Sequence, residues 1–224
     1  MQIWKTLLNL FTESNCPLCQ RPASQEFCEY CHKQLQKCCL NDSNPRKNNS
    51  PPVIAWGTYG GAIKRAIATM KYENHPEIAR PLGEWLGETW LRNYGYENSF
   101  MVVPIPMHPE KQKERGFNQA ELIAKSFCQT TGLKLKVNGL QRVKKTEALF
   151  GLSATQRQET LVEAFDIGKD FRKPPNVPVI LVDDIYTTGT TINSAIETLS
   201  KSRITVSAVA AVAVPSKANY TKNS

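Results

Sequence analysis

The 224-residue sequence has no apolar run approaching the roughly 18–20 residues needed to cross a bilayer, which argues against a membrane-spanning helix. The longest candidate, residues 206–214, is short and rich in alanine and valine, so it reads as a buried strand. Residues 1–11 place Ile3, Trp4, Leu7, Leu8 and Phe11 on a helical stripe but offer neither a long apolar centre nor a small-residue cleavage site. The stretch is therefore expected to be a short packing or partner-contacting helix rather than an export signal. Aromatic residues are sparse, at 8%, and no internal repeat is found. Few aromatics leave little material for a base-stacking surface.

Hydrophobic content of 41% and charged content of 21% fit a soluble globular chain. The net charge of +8 is unevenly spread, because residues 111–173 hold 13 Lys and Arg against 7 Asp and Glu. Such a bias suits a polyanionic ligand or a nucleic-acid backbone, and equally a solvated basic face.

Six of the seven cysteines fall between Cys16 and Cys39. Cys16-Pro17-Leu18-Cys19 and Cys28-Glu29-Tyr30-Cys31 are two C-x-x-C knuckles, each able to present two thiolates to one tetrahedral zinc. A module of about 40 residues rarely folds on a core alone, so a structural Zn2+ is expected to supply folding energy. Cys38 or Cys39 could replace Cys28 or Cys31 if the register shifts, and His32 is expected outside the ligand set. Cys128 lies in a helical pattern and reads as core. Residues 41–52 are polar and almost free of apolar side chains, marking a linker between a module at 1–40 and a body at 53–224. A long body without an export signal points to a reducing cytoplasm rather than to disulfides.

The body alternates strand-like and helix-like segments, as a parallel sheet covered by helices on both faces requires. Strands are expected at 53–59, 100–105, 179–182 and 204–214, and helices at 61–71, 77–90, 118–131, 156–163 and 192–201. The most informative stretch runs from Val179 to Thr191. An apolar strand ends in Asp183 and Asp184, and a loop of Thr187, Thr188, Gly189, Thr190 and Thr191 opens a helix. Backbone N–H groups and the positive end of that helix suit a phosphate, the threonines add hydroxyls, and Gly189 permits a positive φ. Asp183 and Asp184 are placed to accept from vicinal ribose hydroxyls. The thirteen residues resemble the phosphoribosyl-pyrophosphate (PRPP) signature of type I phosphoribosyltransferases. Arg115 follows the strand at 100–105, and Lys144 and Lys145 lie in a basic stretch that would close over a pyrophosphate leaving group. Lys64 and Lys71 share a helix face and are weaker candidates, since most helical lysines only solubilise.

Beyond that loop, the knuckle pair, Tyr59-Gly60-Gly61, Met70-Lys71-Tyr72, Pro104-Ile105-Pro106 and Glu114-Arg115-Gly116-Phe117-Asn118-Gln119 resemble the ComF family of competence-associated proteins. The resemblance spans residues 16–215. It implies a zinc finger followed by a type I phosphoribosyltransferase fold, in a cytoplasmic protein of natural transformation that handles incoming single-stranded DNA. It implies PRPP with Mg2+ as ligand, competence or DNA-uptake proteins as partners, and the dimerisation common among type I phosphoribosyltransferases. Two activities remain open: transfer to an unknown acceptor, or an inactive adaptor that binds nucleic acid or docks a protein. Departures from the family pattern fall at Leu149, where many members carry Gln, and across residues 157–163.

Overall fold

The computed structural model describes residues 14–40, 51–95, 99–144 and 164–216. The N-terminal helical stripe, most of the linker, Lys145, Leu149 and the helix expected at 156–163 lie outside these residues.

The N-terminal module pairs β1 (Ser14–Asn15) antiparallel with β2 (Pro22–Ala23) and continues into α1 (Glu29–Gln36). Strand β3 (Val53–Tyr59) opens the body, followed by α2 (Gly61–Tyr72) and, after a 3-10 turn, α3 (Ala79–Tyr94). Next come β4 (Met101–Pro104), α4 (Pro109–Arg115), α5 (Gln119–Thr131) and the short edge strand β5 (Lys134–Leu135). An antiparallel pair, β6 (Leu140–Arg142) and β7 (Phe165–Ile167), stands apart from the main sheet. The chain then forms β8 (Val179–Ile185), α6 (Thr190–Lys201) and β9 (Val206–Pro215).

Five strands make one parallel sheet in the order β3-β9-β8-β4-β5. It is the parallel sheet flanked by helices that the alternating segments led one to expect. Side chains alternate across each strand, so adjacent residues serve opposite layers. Ile54, Val102, Ile180, Val182 and Ala210 face a layer built from α2, α3, α5 and the cysteine module. Val53, Val103, Val179, Leu181 and Ala211 face a second layer containing Phe165, Phe171 and the apolar side of α6. Both faces are covered, which explains why β8 and β9 read as unbroken apolar runs.

Helices α3 and α5 pack especially closely. A Cβ on Gly83 would come within 2.5 Å of the Ile123 carbonyl oxygen, and one on Gly87 within 2.8 Å of Thr130 Cβ. Helix α4 has no counterpart among the elements expected from sequence. It has no buried residue and therefore no apolar period; Pro109 in its first turn and the His108 side chain, which accepts from the Glu110 N–H at 3.3 Å, start it instead. No helix among the described residues is long and apolar enough to cross a membrane.

Candidate functional site

The loop expected to hold a phosphate stands at the carboxyl end of β8, at the middle of the sheet. Gly189 adopts φ 78°, and a Cβ there would lie 2.5 Å from the Tyr186 hydroxyl oxygen, so both conformation and space demand glycine. The N-cap of α6 is Gly189 itself, which has no side chain to cap the first turn, and helix N-terminal N–H groups are the kind that hold an anion. The Thr188 and Thr190 hydroxyls lie 2.7 Å apart in a hydrogen bond. Asp183, Tyr186, Thr187, Thr188, Gly189, Thr190 and Thr191 line a cavity of about 80 Å3. The five loop residues expected to cradle a phosphate thus share one cavity.

Strand alternation starts the two acids toward different layers, although at the strand end their carboxyls still come within hydrogen-bonding reach of each other. Asp184 follows Ile180 and Val182 toward the α2 and α5 layer, where it is only 4% exposed. There it forms an ion pair with Lys71 from the last turn of α2 and receives a hydrogen bond from the Gln119 side chain. Burial alone would push the Asp184 carboxyl up, but the Lys71 ammonium overrides it and holds the group below the usual carboxylate range. Lys71 is shifted upward in turn: burial works against its charge, and Asp184 and then Asp183 more than offset that.

Asp183 follows Val179 and Leu181 toward the opposite layer and lines the loop cavity. Its Oδ1 accepts from the Asp184 backbone N–H at 2.8 Å. Burial, followed by the adjacent Asp184 charge, raises its carboxyl well above the ordinary range. The Arg142 guanidinium acts on Asp183 from β6; burial lowers Arg142, and the Asp183 charge partly restores it. The expectation of two equivalent ribose-facing acids therefore resolves into unlike environments, with Asp183 on the cavity and Asp184 held by Lys71.

Arg115 ends α4 beside Gly116, which turns the chain at φ 85°. Its Nη1 donates to Gln119 Oε1 at 2.6 Å, and its guanidinium lies over the Tyr72 ring, 5.7 Å from the centroid. Arg115 is thereby joined to Asp184 through Gln119. Lys144 is exposed just past the end of β6, and Lys145 lies outside the described residues. Gln119 and Arg142 carry no sequence signal of a role at this site, and Lys71 reads from sequence only as a weak candidate. The available signal for Lys71 was its place at the end of an amphipathic helix entering the same layer as Asp184.

The Sγ atoms of Cys16, Cys19, Cys28 and Cys31 all lie within 4.8 Å of one another, and those of Cys19 and Cys28 are 3.4 Å apart. Tetrahedral zinc with bonds of about 2.3 Å separates its sulfurs by about 3.8 Å, so the cluster fits such an ion. Backbone and thiol hydrogen bonds bring Cys28 down to about 7, while burial pushes Cys31 up. Cys38 Sγ instead points to the Gln34 and Gly60 carbonyls and Cys39 Sγ to the Leu40 carbonyl, so neither replaces a knuckle cysteine. His32 packs edge-on against Trp85, and Cys128 is buried.

No protein-family model matches the chain. It is 28% identical over 200 residues to competence protein F of Haemophilus influenzae, covering 87% of each chain. It is also 28% identical over 195 residues to competence protein ComFC of Bacillus subtilis, covering 85% of this chain and 73% of that one. DNA utilization protein YhgH of Salmonella typhimurium is 26% identical over 185 residues, with 80% and 74% covered. Among solved structures, glutamine PRPP amidotransferase of B. subtilis aligns with a TM-score of 0.36 at 15% identity, covering 60% of this chain and 26% of that one. TT1426 of Thermus thermophilus aligns with a TM-score of 0.32 at 17% identity, covering 62% and 84%. Alignments this loose leave the fold to be judged on the strand order itself.

Proposed function

We propose that this chain, a member of the ComF family and a competence-related phosphoribosyltransferase-like protein, binds PRPP together with Mg2+ at the carboxyl end of β8. The observation that carries the reading is the cavity in which Asp183 meets the N-terminus of α6 and its Thr/Gly loop. In this scheme the 5′-phosphate rests on residues 187–191, held by backbone N–H groups and threonine hydroxyls. Asp183 and Asp184 orient the ribose hydroxyls, with Lys71 and Gln119 keeping Asp184 ionised. Mg2+ would be held by one carboxylate and the phosphate oxygens, retaining most of its waters. Arg115, Lys144 and Lys145 would offset charge on the leaving pyrophosphate, so positioning and electrostatics supply most of the catalysis. The four knuckle thiolates would hold a structural Zn2+.

A second reading keeps the same ligand without turnover. It draws on Asp183, which burial and the neighbouring Asp184 charge bias toward the protonated form, and on the cations Lys71, Arg115 and Arg142 gathered around the two acids. In either case a net charge of +8 suits single-stranded DNA as a partner in uptake, with affinity that falls as salt rises.

Calorimetry with PRPP and Mg2+ tests the proposal. The wild type should bind, and Asp183→Ala combined with Asp184→Ala should abolish binding; retained affinity in the double variant would remove the assignment. Pyrophosphate release on addition of bases, amines or oligonucleotides then separates a transferase from a binder.

A further inference from the structure

Four thiolates around a divalent zinc carry more negative charge than the ion cancels, and the place where this chain would hold them is largely closed to water. Cys16 and Cys31 have no exposed surface, Cys28 is buried and Cys19 is half-buried. Excess charge in such a place is costly until cations or N–H donors face the sulfurs. Two of the module's own cations are engaged elsewhere. The Arg21 guanidinium lies over the Tyr30 ring, 5.0 Å from its centroid, and Lys33 pairs with Glu29 at 2.6 Å in solvent.

A cation that does reach a knuckle sulfur comes from the body. Arg65 of α2 donates from Nη2 to Cys31 Sγ at 3.8 Å, a separation in keeping with the large radius of sulfur. Its helix is committed to this seam. Ile63, Ala66 and Ile67, on either side of Arg65, are buried in the cluster that also takes Cys16, Cys31 and Leu35 of the module. Packing therefore fixes where the Arg65 side chain starts, and a guanidinium that is charged at any physiological pH ends on the sulfur. The ion pair of Glu26 with Arg80 of α3 joins the same two parts of the chain, but that guanidinium bonds to the Glu26 and Glu84 carboxylates rather than to sulfur.

We propose that the metal centre is shared between the module and the body, with Arg65 as its outer-sphere cation. Arg65 offsets part of the thiolate charge and steadies Cys31 as a ligand, so retention of the metal depends on the docking of α2. Hydrogen bonds from an ionised donor are roughly twice as strong as neutral ones, and the guanidinium supplies both the bond and the charge. The inference rests on the four cysteines holding a divalent metal and adds a positioning residue that no C-x-x-C spacing could reveal.

Metal-release kinetics and cobalt spectroscopy on the full-length chain test it. With zinc bound, an excess of a chromogenic chelator should draw the metal from Arg65→Ala about tenfold faster than from the wild type. Arg65→Lys, which keeps the charge but not the planar fork, should fall between them. Arg80→Ala, which loosens the same seam, should release zinc at close to the wild-type rate. With cobalt in place of zinc, the sulfur-to-metal charge-transfer band of Arg65→Ala should move to lower energy, because a sulfur freed of its N–H donor gives up charge more readily. The band of Arg80→Ala should stay where it is. Equal release from wild type and Arg65→Ala, or an unmoved band in Arg65→Ala, overturns the role of Arg65 and leaves the metal centre standing. Release from Arg80→Ala as fast as from Arg65→Ala overturns it too, by tracing the effect to a loosened seam. If the wild type takes up neither ion, the cysteine centre falls and the inference with it.

Discussion

Asp183 and Asp184 are chemically identical neighbours that folding drives in opposite directions. A carboxyl whose pKa rises on folding contributes its full stability below its unfolded pKa and loses it as pH climbs through the raised value. Asp183 is such a group, so at neutral pH its ionised form costs stability. Asp183→Asn should raise stability at pH 7 by about 1 kcal/mol while weakening PRPP binding, checked by denaturant melts beside calorimetry. Asp184 has the opposite sign: its lowered pKa supplies stability above the unfolded value, lost as pH falls through the folded one. Asp184→Asn leaves the Lys71 ammonium buried without its counter-charge and should cost about 3 kcal/mol. Lys71→Met combined with Asp184→Leu should recover much of that loss; an equally unstable double variant would contradict the account. The acids and the loop were legible because a buried strand ending in Asp-Asp before Thr-Thr-Gly-Thr-Thr carries its chemistry locally. Their unlike roles could have been read from strand alternation, but the partner Lys71 could not. A lysine at a helix end looks the same in sequence whether it meets solvent or a carboxylate 113 positions away.

At the scale of elements, what the sequence disclosed follows from how each segment is stabilised. Strands β3, β4, β8 and β9 and helices α2, α3, α5 and α6 bury apolar faces, and burial leaves a period in the chain. Helix α4 buries nothing, and β6 and β7 are three residues each, so neither leaves one. Helix starts differ from expectation by one or two residues where end chemistry decides them. Helix α6 starts at Thr190 because Gly189 turns left-handed, ahead of its first buried residue Ile192. Asn118 caps α5 by accepting from the Ala120 N–H at 3.1 Å, and its Nδ2 donates to the Ile105 carbonyl, fixing the helix to the end of β4. The α3 and α5 crossing gives the sharpest prediction at this scale. Alanine favours a helix over glycine by about 1 kcal/mol, so propensity alone predicts that Gly83→Ala stabilises. Its methyl, however, would meet the Ile123 carbonyl oxygen at 2.5 Å and Ser126 Cβ at 2.6 Å, neither of which can swing away. Overpacking of that kind costs about 2 kcal/mol, and the net change should be destabilising. A thermal melt of Gly83→Ala that rises instead of falling would mean the two helices can separate freely.

For the whole molecule, the relation between the cysteine module and the body decides how metal affects the fold. The sequence presents a 40-residue module and a polar linker, the pattern of a small metal-dependent unit that could melt by itself. The structure joins it to the body instead. Phe27 and Leu35 of the module share one buried cluster with Ile54, Trp56 and Leu86, and Phe27, Trp85 and Trp56 stack in series at 6.1 and 4.7 Å. Glu26 pairs with Arg80 of α3, Arg65 of α2 reaches Cys31 Sγ at 3.8 Å, and Cys39 bridges to Gly57 of β3. These contacts were illegible in the sequence because each pairs a module residue with a body residue well past the linker, with no local pattern to announce it. Metal binding to the four thiolates is folding energy for whatever unit contains them. Since that unit shares its core with the sheet, chelation or Cys16→Ser should lower the melting temperature of the entire chain. The loss should appear as one cooperative calorimetric transition, with Trp56 and Trp85 shifting their emission to the red in the same step. A separate low-temperature transition, with the body melting at its original temperature, would show that the module folds independently. Helix α2 sharpens the expectation, because Arg65 touches the cysteine cluster and Lys71, six residues on, holds Asp184. Six residues of helix span about 9 Å, so any loosening at the thiolates is transmitted along two turns to the acid pair. Metal-stripped protein should accordingly bind PRPP more weakly even at temperatures where it remains folded.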